Sequence, residues 1–336
     1  MISEKSIILI TGASGFIGTN LVDFYENKKC KIVNFDKKAP TKRQQEKYWV
    51  QGDIMNLSEL EQAFTKYNPT IVVHLAARTD TLSDKLDDYK ENFIGTENII
   101  KTIDKTNSVK HALFASTQYV YKSKEVPFGV DDDNYAPHTV YGISKMNSEE
   151  IIRHSNMRCM WTIFRPCNVW GPWHMRYPDE LWKVIAKGYY IHPSHKPVIR
   201  TYAYVKNLVY QLDKIINAEQ NLIDKKTFYL GDMPIDSYIW LNEFSIQLRN
   251  KKILRIHKIF FAYIAVIGDV LRQLGIKFPL YSQRYHNMVE DFYAPSNITM
   301  QLFGTRNNDI SQNVAETIEW LKSEGAEFFQ YWNGDK

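Results

Sequence analysis

The run IILITGASGFIG, residues 7–18, decides the fold of this chain. Ile7–Ile10 is a short continuous apolar run, which is typical of a strand buried on both faces of a parallel sheet. Gly12 permits a tight turn, Gly15 lets the backbone approach a pyrophosphate, and Gly18 allows close packing of helix on strand. The run therefore predicts a dinucleotide-binding strand–turn–helix unit, with the pyrophosphate at the helix N-terminus.

Outward from this run, apolar stretches alternate with helical patterns as far as Arg165. The predicted strands are residues 31–35, 48–53, 70–76, 111–116 and 160–165, and the predicted helices are residues 15–27, 57–67, 89–106 and 141–155. Such an alternation predicts an α/β fold in which a doubly wound parallel sheet, the Rossmann sheet, has right-handed crossovers.

The regular alternation ends after Arg165, and aromatic, Pro and His residues crowd the next thirty or so positions. This composition is typical of substrate-binding segments added to a nucleotide-binding domain. We predict a Rossmann domain over residues 1–168, with a return segment near 200–217. A smaller mixed α/β substrate-binding domain is predicted for residues 169–199 and 218–336.

Composition excludes several classes of protein. Hydrophobic residues make up 44% of the 336 positions and charged residues 24%, which is ordinary for a soluble globular protein. A net charge of +4 is too small to indicate a nucleic-acid partner. The three cysteines, Cys30, Cys159 and Cys167, have no metal-ligand spacing and favour a reducing compartment. We therefore predict a cytoplasmic protein without a metal site.

Asp36 stands at the predicted end of the second strand, 18 positions after Gly18. A carboxylate at this place accepts hydrogen bonds from both adenosine ribose hydroxyls. A 2′-phosphate would be repelled there, so the residue favours NAD over NADP. Lys37 and Lys38 could weaken that repulsion, which leaves NADP as the less favoured cofactor.

Tyr141 and Lys145 lie four positions apart in a predicted helix, which puts them on one face, one turn apart. A free tyrosine has a pKa of about 10, too high for efficient proton exchange near neutrality. A neighbouring ammonium stabilises the phenolate and lowers that pKa. Tyr141 would then move a hydroxyl proton while hydride passes between a substrate carbon and nicotinamide. From spacing alone, a solvated Tyr–Lys pair on a helix surface is an equal alternative.

Further motifs make the chain similar to the extended short-chain dehydrogenase/reductases over nearly its whole length. They are the glycine turn, Gly52-Asp53-Ile54, His74-Leu75-Ala76-Ala77, Asn92 with Gly95-Thr96 and Asn98, Ser116–Tyr121, Arg165–Pro172 and Arg200–Val205. The resemblance implies cofactor contacts from Gly12, Gly15, Phe16, Ile17, Asp36, Asp53, Ile54, Leu75, Ala76, Ala77, Asn92, Tyr141, Lys145 and Pro166. It also implies that Thr117 is the hydroxyl partner of Tyr141 in catalysis and that Asn92 orders the active site.

The same resemblance implies a substrate built on a diphosphate. The residues expected to contact it are Thr79, Gln118, Asn168 and Arg200, with Asn168 by the sugar and Arg200 on the diphosphate. Sugar 4,6-dehydratases of the family carry acids at the positions of Gln118 and Tyr119, and the related decarboxylases carry one. The 3,5-epimerase/reductases place a Cys where Tyr119 stands, and Lys122 replaces a usual Gly. With these reactions set aside, the resemblance implies oxidation or reduction at C4 of the sugar.

We therefore predict an NAD(P)-dependent C4 epimerase or 4-ketoreductase of a nucleotide-diphosphate sugar in surface-polysaccharide biosynthesis. A non-catalytic dinucleotide sensor is one alternative, although a sensor needs no Thr117, Tyr141 or Lys145. A sterol- or flavonoid-type reductase is another, and it would not need Arg200.

A basic stretch within residues 249–258 precedes the apolar run Ile259–Gly268. Such a pattern fits a solvated face followed by a core or dimer helix, and we expect a homodimer. An alternative is a helix that lies on a membrane surface with its basic side toward anionic lipid. Because lipid-linked sugar 4-epimerases of the family have a similar segment, the alternative substrate is a polyprenyl-diphosphate sugar. Residues 249–271 would then make peripheral contact with the inner membrane face.

Overall fold

A computed structural model of the chain describes residues 2–28, 30–122, 133–193, 196–276, 278 and 280–324. The chain forms two compact units. Unit 1 comprises residues 1–169, 203–232 and 294–306, and unit 2 comprises residues 170–202, 233–293 and 307–336.

Unit 1 is built on a parallel sheet. Its strands are β1 (Ile7–Thr11), β2 (Lys31–Asp36), β3 (Trp49–Gln51), β4 (Ile71–His74), β5 (His111–Ala115), β6 (Met160–Pro166) and β10 (Lys226–Leu230). Its helices are α1 (Phe16–Glu26), α2 (Leu57–Tyr67), α3 (Lys90–Asp104), α4 (Val140–Arg153), α6 (Val205–Asn217), α7 (Gln220–Ile223) and α11 (Ser296–Phe303). Among the described residues the sheet has seven strands in the order β10-β6-β5-β4-β1-β2-β3.

Strand β1 shows why the sheet is covered on both faces. Ile8, Leu9 and Ile10 have no exposed surface. Ile8 and Ile10 belong to a core that includes Leu21 of α1, whereas Leu9 belongs to a second core with Phe64 of α2. Each such side chain stabilises the fold by about 1.5–3 kcal/mol through burial. The predicted doubly wound α/β fold is confirmed.

Two predicted strands end earlier than expected because hydrogen bonds turn the chain. After β3, the Asp53 carboxylate accepts from the amide of Met55 at 2.9 Å. After β4, the amide of Ala76 donates to Thr11 Oγ1 at 3.3 Å. Strands predicted over 48–53 and 70–76 are therefore confined to Trp49–Gln51 and Ile71–His74.

The two compact units divide the C-terminal half differently from the predicted domains. Residues 218–232, expected in the substrate-binding domain, belong to unit 1 because β10 pairs in parallel with β6. The chain returns to unit 1 once more at residues 294–306, where Phe303 of α11 joins the core beside Phe228 of β10. The return segment is thus 203–232 with 294–306, in place of 200–217.

Unit 2 holds the aromatic residues that crowd the sequence after Arg165. Its elements, with the strands at its boundaries, are β7 (Asn168–Trp170), α5 (Lys183–Ala186), β8 (Ile199–Arg200), β9 (Tyr202–Tyr204), β11 (Ile235–Asp236), α8 (Ser237–Arg249), α9 (Lys258–Gln273), α10 (Ser282–Val289) and α12 (Ile310–Ser323). Trp170 and Trp240 are buried with ring centroids 5.8 Å apart, and Trp182 stacks on Phe244 at 5.2 Å. These rings form the core of unit 2. Within the described residues, no helix is long and apolar enough to cross a membrane.

Candidate active site

The glycine turn follows β1 and lies beside the ends of β2 and β4, the two strands that pair with β1. Gly12 has a φ of +71°, and a Cβ on it would lie 2.6 Å from the amide nitrogen of Ala76. Its own amide donates to the carbonyl of Phe35 at 3.0 Å. Any side chain at Gly12 would therefore separate the carboxyl ends of β1 and β4. Glycine at this position therefore allows the tight turn and the close approach of the two strand ends that a dinucleotide-binding turn needs.

The helix that follows the turn is suited to an anion. Gly15 is the N-cap of α1, no described side chain caps it, and the first turn carries no acidic residue. Phe16 and Ile17 begin the helix, so their backbone amides stand at the positive end of the helix dipole. Turn and helix together fit the pyrophosphate of NAD.

Asp36 is fixed at the end of β2 by backbone amides. Its carboxylate accepts from Ser14 at 3.1 Å and from Lys38 at 2.9 Å, and burial raises its pKa. The neighbouring Lys37 forms an ion pair with Glu91 at 2.9 Å. Asp36 thus presents a carboxylate beside the glycine turn, while the charge of Lys37 is directed to Glu91.

The remaining residues expected around the cofactor follow the ends of β3 and β4. Ile54 is buried against Gly95 of α3, where a Cβ would collide with the Ile54 side chain. The amide of Leu75 donates to the carbonyl of Thr11 at 3.0 Å. Ala76 and Ala77 continue this segment and are partly buried, whereas Thr79 is exposed. The structure therefore brings these segments to the carboxyl ends of the strands, where the glycine turn also lies.

Tyr141 and Lys145 lie in the first two turns of α4. The Thr139 hydroxyl caps the N-terminus of this helix by accepting from the amide of Gly142 at 3.0 Å. Tyr141 is 7% exposed and Lys145 is 2% exposed. This burial excludes the alternative of a solvated pair on a helix surface. Burial also lowers the pKa of Lys145 to about 8, against the opposing effect of Glu149.

Glu149 is a residue that our sequence interpretation missed. It follows Lys145 by four positions on α4, and its carboxylate accepts from Arg165 at 2.8 Å and 2.6 Å. Both side chains are fully buried, and Arg165 also donates to the hydroxyl of Tyr229 at 3.0 Å. The positions 141, 145 and 149 repeat the same helical spacing, and that repeat is the signal that could have identified Glu149.

Thr117 begins the segment that packs on the first turn of α4. A Cβ on Gly142 would collide with the carbonyl oxygen of Tyr119, so the helix approaches this segment through a glycine. Tyr119 and Tyr141 have ring centroids 6.2 Å apart. Thr117 is 5% exposed, and its hydroxyl accepts from the amide of Tyr119 at 3.3 Å. Thr117 and Tyr141 are thus carried by two segments in direct contact.

Asn92 joins three segments around the pair. Its Nδ2 donates to Ser144 Oγ at 2.9 Å and to the carbonyl of Arg78 at 3.0 Å, and its Oδ1 accepts from the amide of Arg78 at 2.8 Å. Ser144 lies between Tyr141 and Lys145 on α4. Because protein groups engage both ends of the amide, Asn92 acts as a positioning residue for α4.

The residues expected on the substrate side are distributed over both units. Gln118 is 1% exposed, and neither atom of its amide has a hydrogen bond to a described residue. Asn168 lies in β7, just after Pro166, the expected cofactor residue that ends β6, and both are in unit 1. Arg200 lies in unit 2, where its guanidinium donates to the carbonyls of Asn287 and Glu290 at the end of α10.

A doubly wound sheet with this glycine turn, an acid at the end of β2 and a buried Tyr–Lys pair defines a dinucleotide-dependent dehydrogenase-type site. Residues 8–231 match the model of the NAD dependent epimerase/dehydratase family. The chain belongs to this family. The predicted resemblance to the extended short-chain dehydrogenase/reductases is confirmed.

Individual relatives are more distant. The chain is 34% identical over 194 residues to UDP-glucose 4-epimerase of Vibrio cholerae, covering 54% of this chain and 57% of that protein. It is 29% identical over 266 residues to N-acetyl-alpha-D-glucosaminyl-diphospho-ditrans,octacis-undecaprenol 4-epimerase of Escherichia coli O157:H7, covering 74% of each. The Bordetella bronchiseptica enzyme WbmG in complex with NAD has the same fold, with a TM-score of 0.71 at 21% identity over 95% of this chain and 94% of that one. The chain thus spans little more than half of the Vibrio relative.

Proposed function

We propose that the chain is an NAD-dependent enzyme that oxidises or reduces C4 of a sugar joined to a diphosphate. It would be a 4-epimerase or a 4-ketoreductase, and its substrate a nucleotide-diphosphate sugar of surface-polysaccharide biosynthesis. The observation that carries this proposal is the buried Tyr141–Lys145 pair, packed against the segment of Thr117. A non-catalytic sensor has no use for a desolvated ammonium beside a tyrosine.

Each residue of the pair has a distinct part in the chemistry. Tyr141 exchanges a proton with the C4 hydroxyl, and Lys145 stabilises the phenolate that remains. Thr117 donates a hydrogen bond to the C4 oxygen and so holds the sugar in line with Tyr141. NAD, when bound, supplies the acceptor and donor of hydride. Residues Gly12, Gly15 and Asp36 would hold it.

The neighbouring side chains limit the reaction to C4. Removal of a proton from a carbon beside a ketone needs a base, and Gln118 and Tyr119 supply no carboxylate where the dehydratases carry acids. The unpartnered amide of Gln118 can instead bind a sugar hydroxyl. Neither dehydration nor decarboxylation should therefore accompany C4 chemistry.

Product analysis tests this function. The chain is incubated with NAD or NADH and a panel of nucleotide sugars, together with one polyprenyl-diphosphate sugar. A new product with the same mass as the substrate indicates an epimerase, and a product that has gained two hydrogens indicates a ketoreductase. NAD that copurifies with the protein while no added cofactor is consumed favours the epimerase. Loss of water or of carbon dioxide from the substrate would contradict the proposal.

Asp36 should set the cofactor preference. A 2′-phosphate beside this half-buried carboxylate costs about 1–3 kcal/mol, because like charges a few Å apart repel at intermediate dielectric. NAD should therefore bind roughly 5- to 150-fold more tightly than NADP. Titration with both dinucleotides measures the ratio, and Asp36→Asn should reduce it by improving NADP affinity.

Lys37→Gln is the matched control, since the Lys37 charge is paired with Glu91. It should leave the ratio of the two affinities nearly unchanged. Equal affinities in the unmodified chain, or tighter binding of NADP, would mean that Lys37 or Lys38 neutralises the phosphate and that the NAD assignment is wrong.

A second candidate substrate is a polyprenyl-diphosphate sugar. The Escherichia coli relative carries such a substrate in its name and aligns with 74% of this chain. The C4 chemistry and the residues proposed for it are the same with either carrier. Both carriers also share the diphosphate, so a residue that binds it should matter equally for both.

Arg200 is the residue that we propose for the diphosphate. The turn at Gly12 serves the cofactor pyrophosphate, so a second diphosphate needs its own cation, and the guanidinium fork suits phosphate. Each charged hydrogen bond contributes about 1.5–3 kcal/mol. Arg200→Ala should therefore raise KM by roughly ten- to a hundredfold per bond lost, with NAD affinity nearly unchanged.

A structural role for Arg200 would give a different pattern, because the side chain also donates to carbonyls of Asn287 and Glu290. Thermal unfolding of Arg200→Ala and Arg200→Lys separates the two. Lower stability with normal KM and kcat would assign Arg200 to the end of α10 alone and reopen the substrate class.

A further inference from the structure

Helix α9 presents large apolar side chains to solvent. Six of them are 49–69% exposed, and they are Ile259, Phe260, Tyr263, Val266, Ile267 and Val270. Four of the six follow the helical spacing 259, 263, 266 and 270, so they form one continuous stripe along the helix. An exposed apolar surface of this extent marks an interaction site in a folded protein.

The buried side of the same helix carries small residues. Ala265 and Gly268 are the buried residues of α9 among those described. A Cβ on Gly268 would collide with the carbonyl of Leu280, just before α10. The helix thus packs on its neighbour through small side chains and directs its large apolar ones outward. A helix that faces water has the opposite arrangement.

Charged groups stand at the two ends of the stripe. Lys252 and Lys258 precede it and Arg272 follows it, and all three are exposed. Between residues 259 and 271 the one charged residue is Asp269, whose carboxylate accepts from the amide of Ser282 at 3.1 Å. The outward face is therefore apolar along its length, and exposed basic residues precede and follow it.

We infer that this face of α9 docks on the surface of an anionic lipid bilayer, with the helix parallel to the membrane plane. Sixteen residues span about 24 Å as a helix, short of the roughly 20 residues that cross a bilayer. Apolar side chains would enter the headgroup boundary, and Lys252, Lys258 and Arg272 would contact anionic headgroups.

Charge favours lipid over a second copy of the chain. In an antiparallel pair of α9 helices, the Lys258 end of one copy would meet the Arg272 end of the other. Each α9 carries two basic side chains and one carboxylate, Asp269, so an antiparallel pair keeps a net positive charge. The docking rests on the proposed function in one respect: a bilayer-bound enzyme would take its sugar on the polyprenyl diphosphate.

Flotation with lipid vesicles tests the docking. The full chain, without NAD or sugar, is mixed with vesicles of phosphatidylcholine alone or with phosphatidylglycerol at one part in four. We expect it to float with the anionic vesicles. Val266→Asp/Ile267→Asp should weaken this binding on the order of 10²-fold, since two charges would enter the headgroup boundary. Lys252→Gln and Lys258→Gln should each weaken it about fivefold.

Ile239→Asp is the matched control, because Ile239 is 52% exposed on α8, away from this stripe in sequence. It should bind vesicles like the unmodified chain. Failure of the unmodified chain to float with anionic vesicles would overturn the docking. So would light scattering that shows a dimer which Val266→Asp/Ile267→Asp converts to a monomer while vesicle binding is absent. Because no sugar is present, loss of the C4 assignment leaves this test intact.

Discussion

Tyr141→Phe should lose about 10²–10⁴-fold in turnover while its NAD affinity changes little. The substitution removes one hydroxyl and keeps the ring that lies between Tyr89 and Tyr119, at 6.2 Å from each. The structure of α4 and the cofactor pocket should therefore persist. What disappears is the proton that moves to and from the C4 oxygen.

Tyr25→Phe is the matched control for this substitution. Tyr25 is fully buried in unit 1, and its hydroxyl donates to Asp213 at 3.1 Å. Loss of that bond to a carboxylate should cost about 1.5–3 kcal/mol of stability and leave kcat near that of the unmodified chain. Turnover by Tyr141→Phe within about threefold of the unmodified chain would remove Tyr141 from the chemistry.

Arg165→Met should lower the free energy of unfolding by about 3–5 kcal/mol, because it removes the cation nearest to the buried Glu149 carboxylate and leaves Arg153 3.8 Å away. Both side chains are inaccessible to solvent in the structure. Replacing Glu149 by Leu in the same chain removes the second charge and should recover much of the loss. Denaturation by urea measures both variants.

Lys101→Met is the control for this buried pair. Lys101 and Glu97 form an exposed ion pair on α3, at 2.8 Å, and such pairs contribute little. The free energy of unfolding of the Lys101→Met variant should differ from that of the unmodified chain by less than about 0.5 kcal/mol. If Arg165→Met were no more costly than Lys101→Met, the pair would not stabilise the fold.

The same pair should also influence Lys145. Glu149 raises the pKa of Lys145, whereas burial lowers it to about 8. The ammonium form stabilises the phenolate, so activity should fall as pH rises through the pKa of Lys145. Glu149→Gln removes the opposing effect, and the alkaline limb of kcat should move to lower pH. An unmoved limb, with stability alone reduced, would assign Glu149 a structural role.

Local patterns in the sequence predicted most of the nucleotide-binding half. The run at residues 7–18 and the spacing of Tyr141 and Lys145 each lie within a single strand–turn–helix unit or a single helix. Their structures depend on nearby residues, and such patterns are read directly from the chain. The burial of Tyr141 and Lys145, which settled one open alternative, required the packed structure.

Contacts between distant segments were the part that sequence could not supply. The pairing of β10 with β6 joins residues about 64 positions apart, Lys226 with Thr162, and it moved residues 218–232 into unit 1. Arg165 and Glu149 meet across a strand and a helix. The apolar run after residue 258 was compatible with a core helix, a dimer helix or a membrane-surface helix, because periodicity does not say what covers a helix face.

Deuterium at C4 of a sugar that the chain turns over tests the central claim most directly. Incubation with NAD should break the C4–deuterium bond. In an epimerase the deuterium should be found at C4 of the product with inverted configuration, and in a ketoreductase run toward the ketone it should be found on the released NADH. Deuterium that stays at an unaltered C4 while another carbon of the sugar reacts would contradict C4 as the reacting centre.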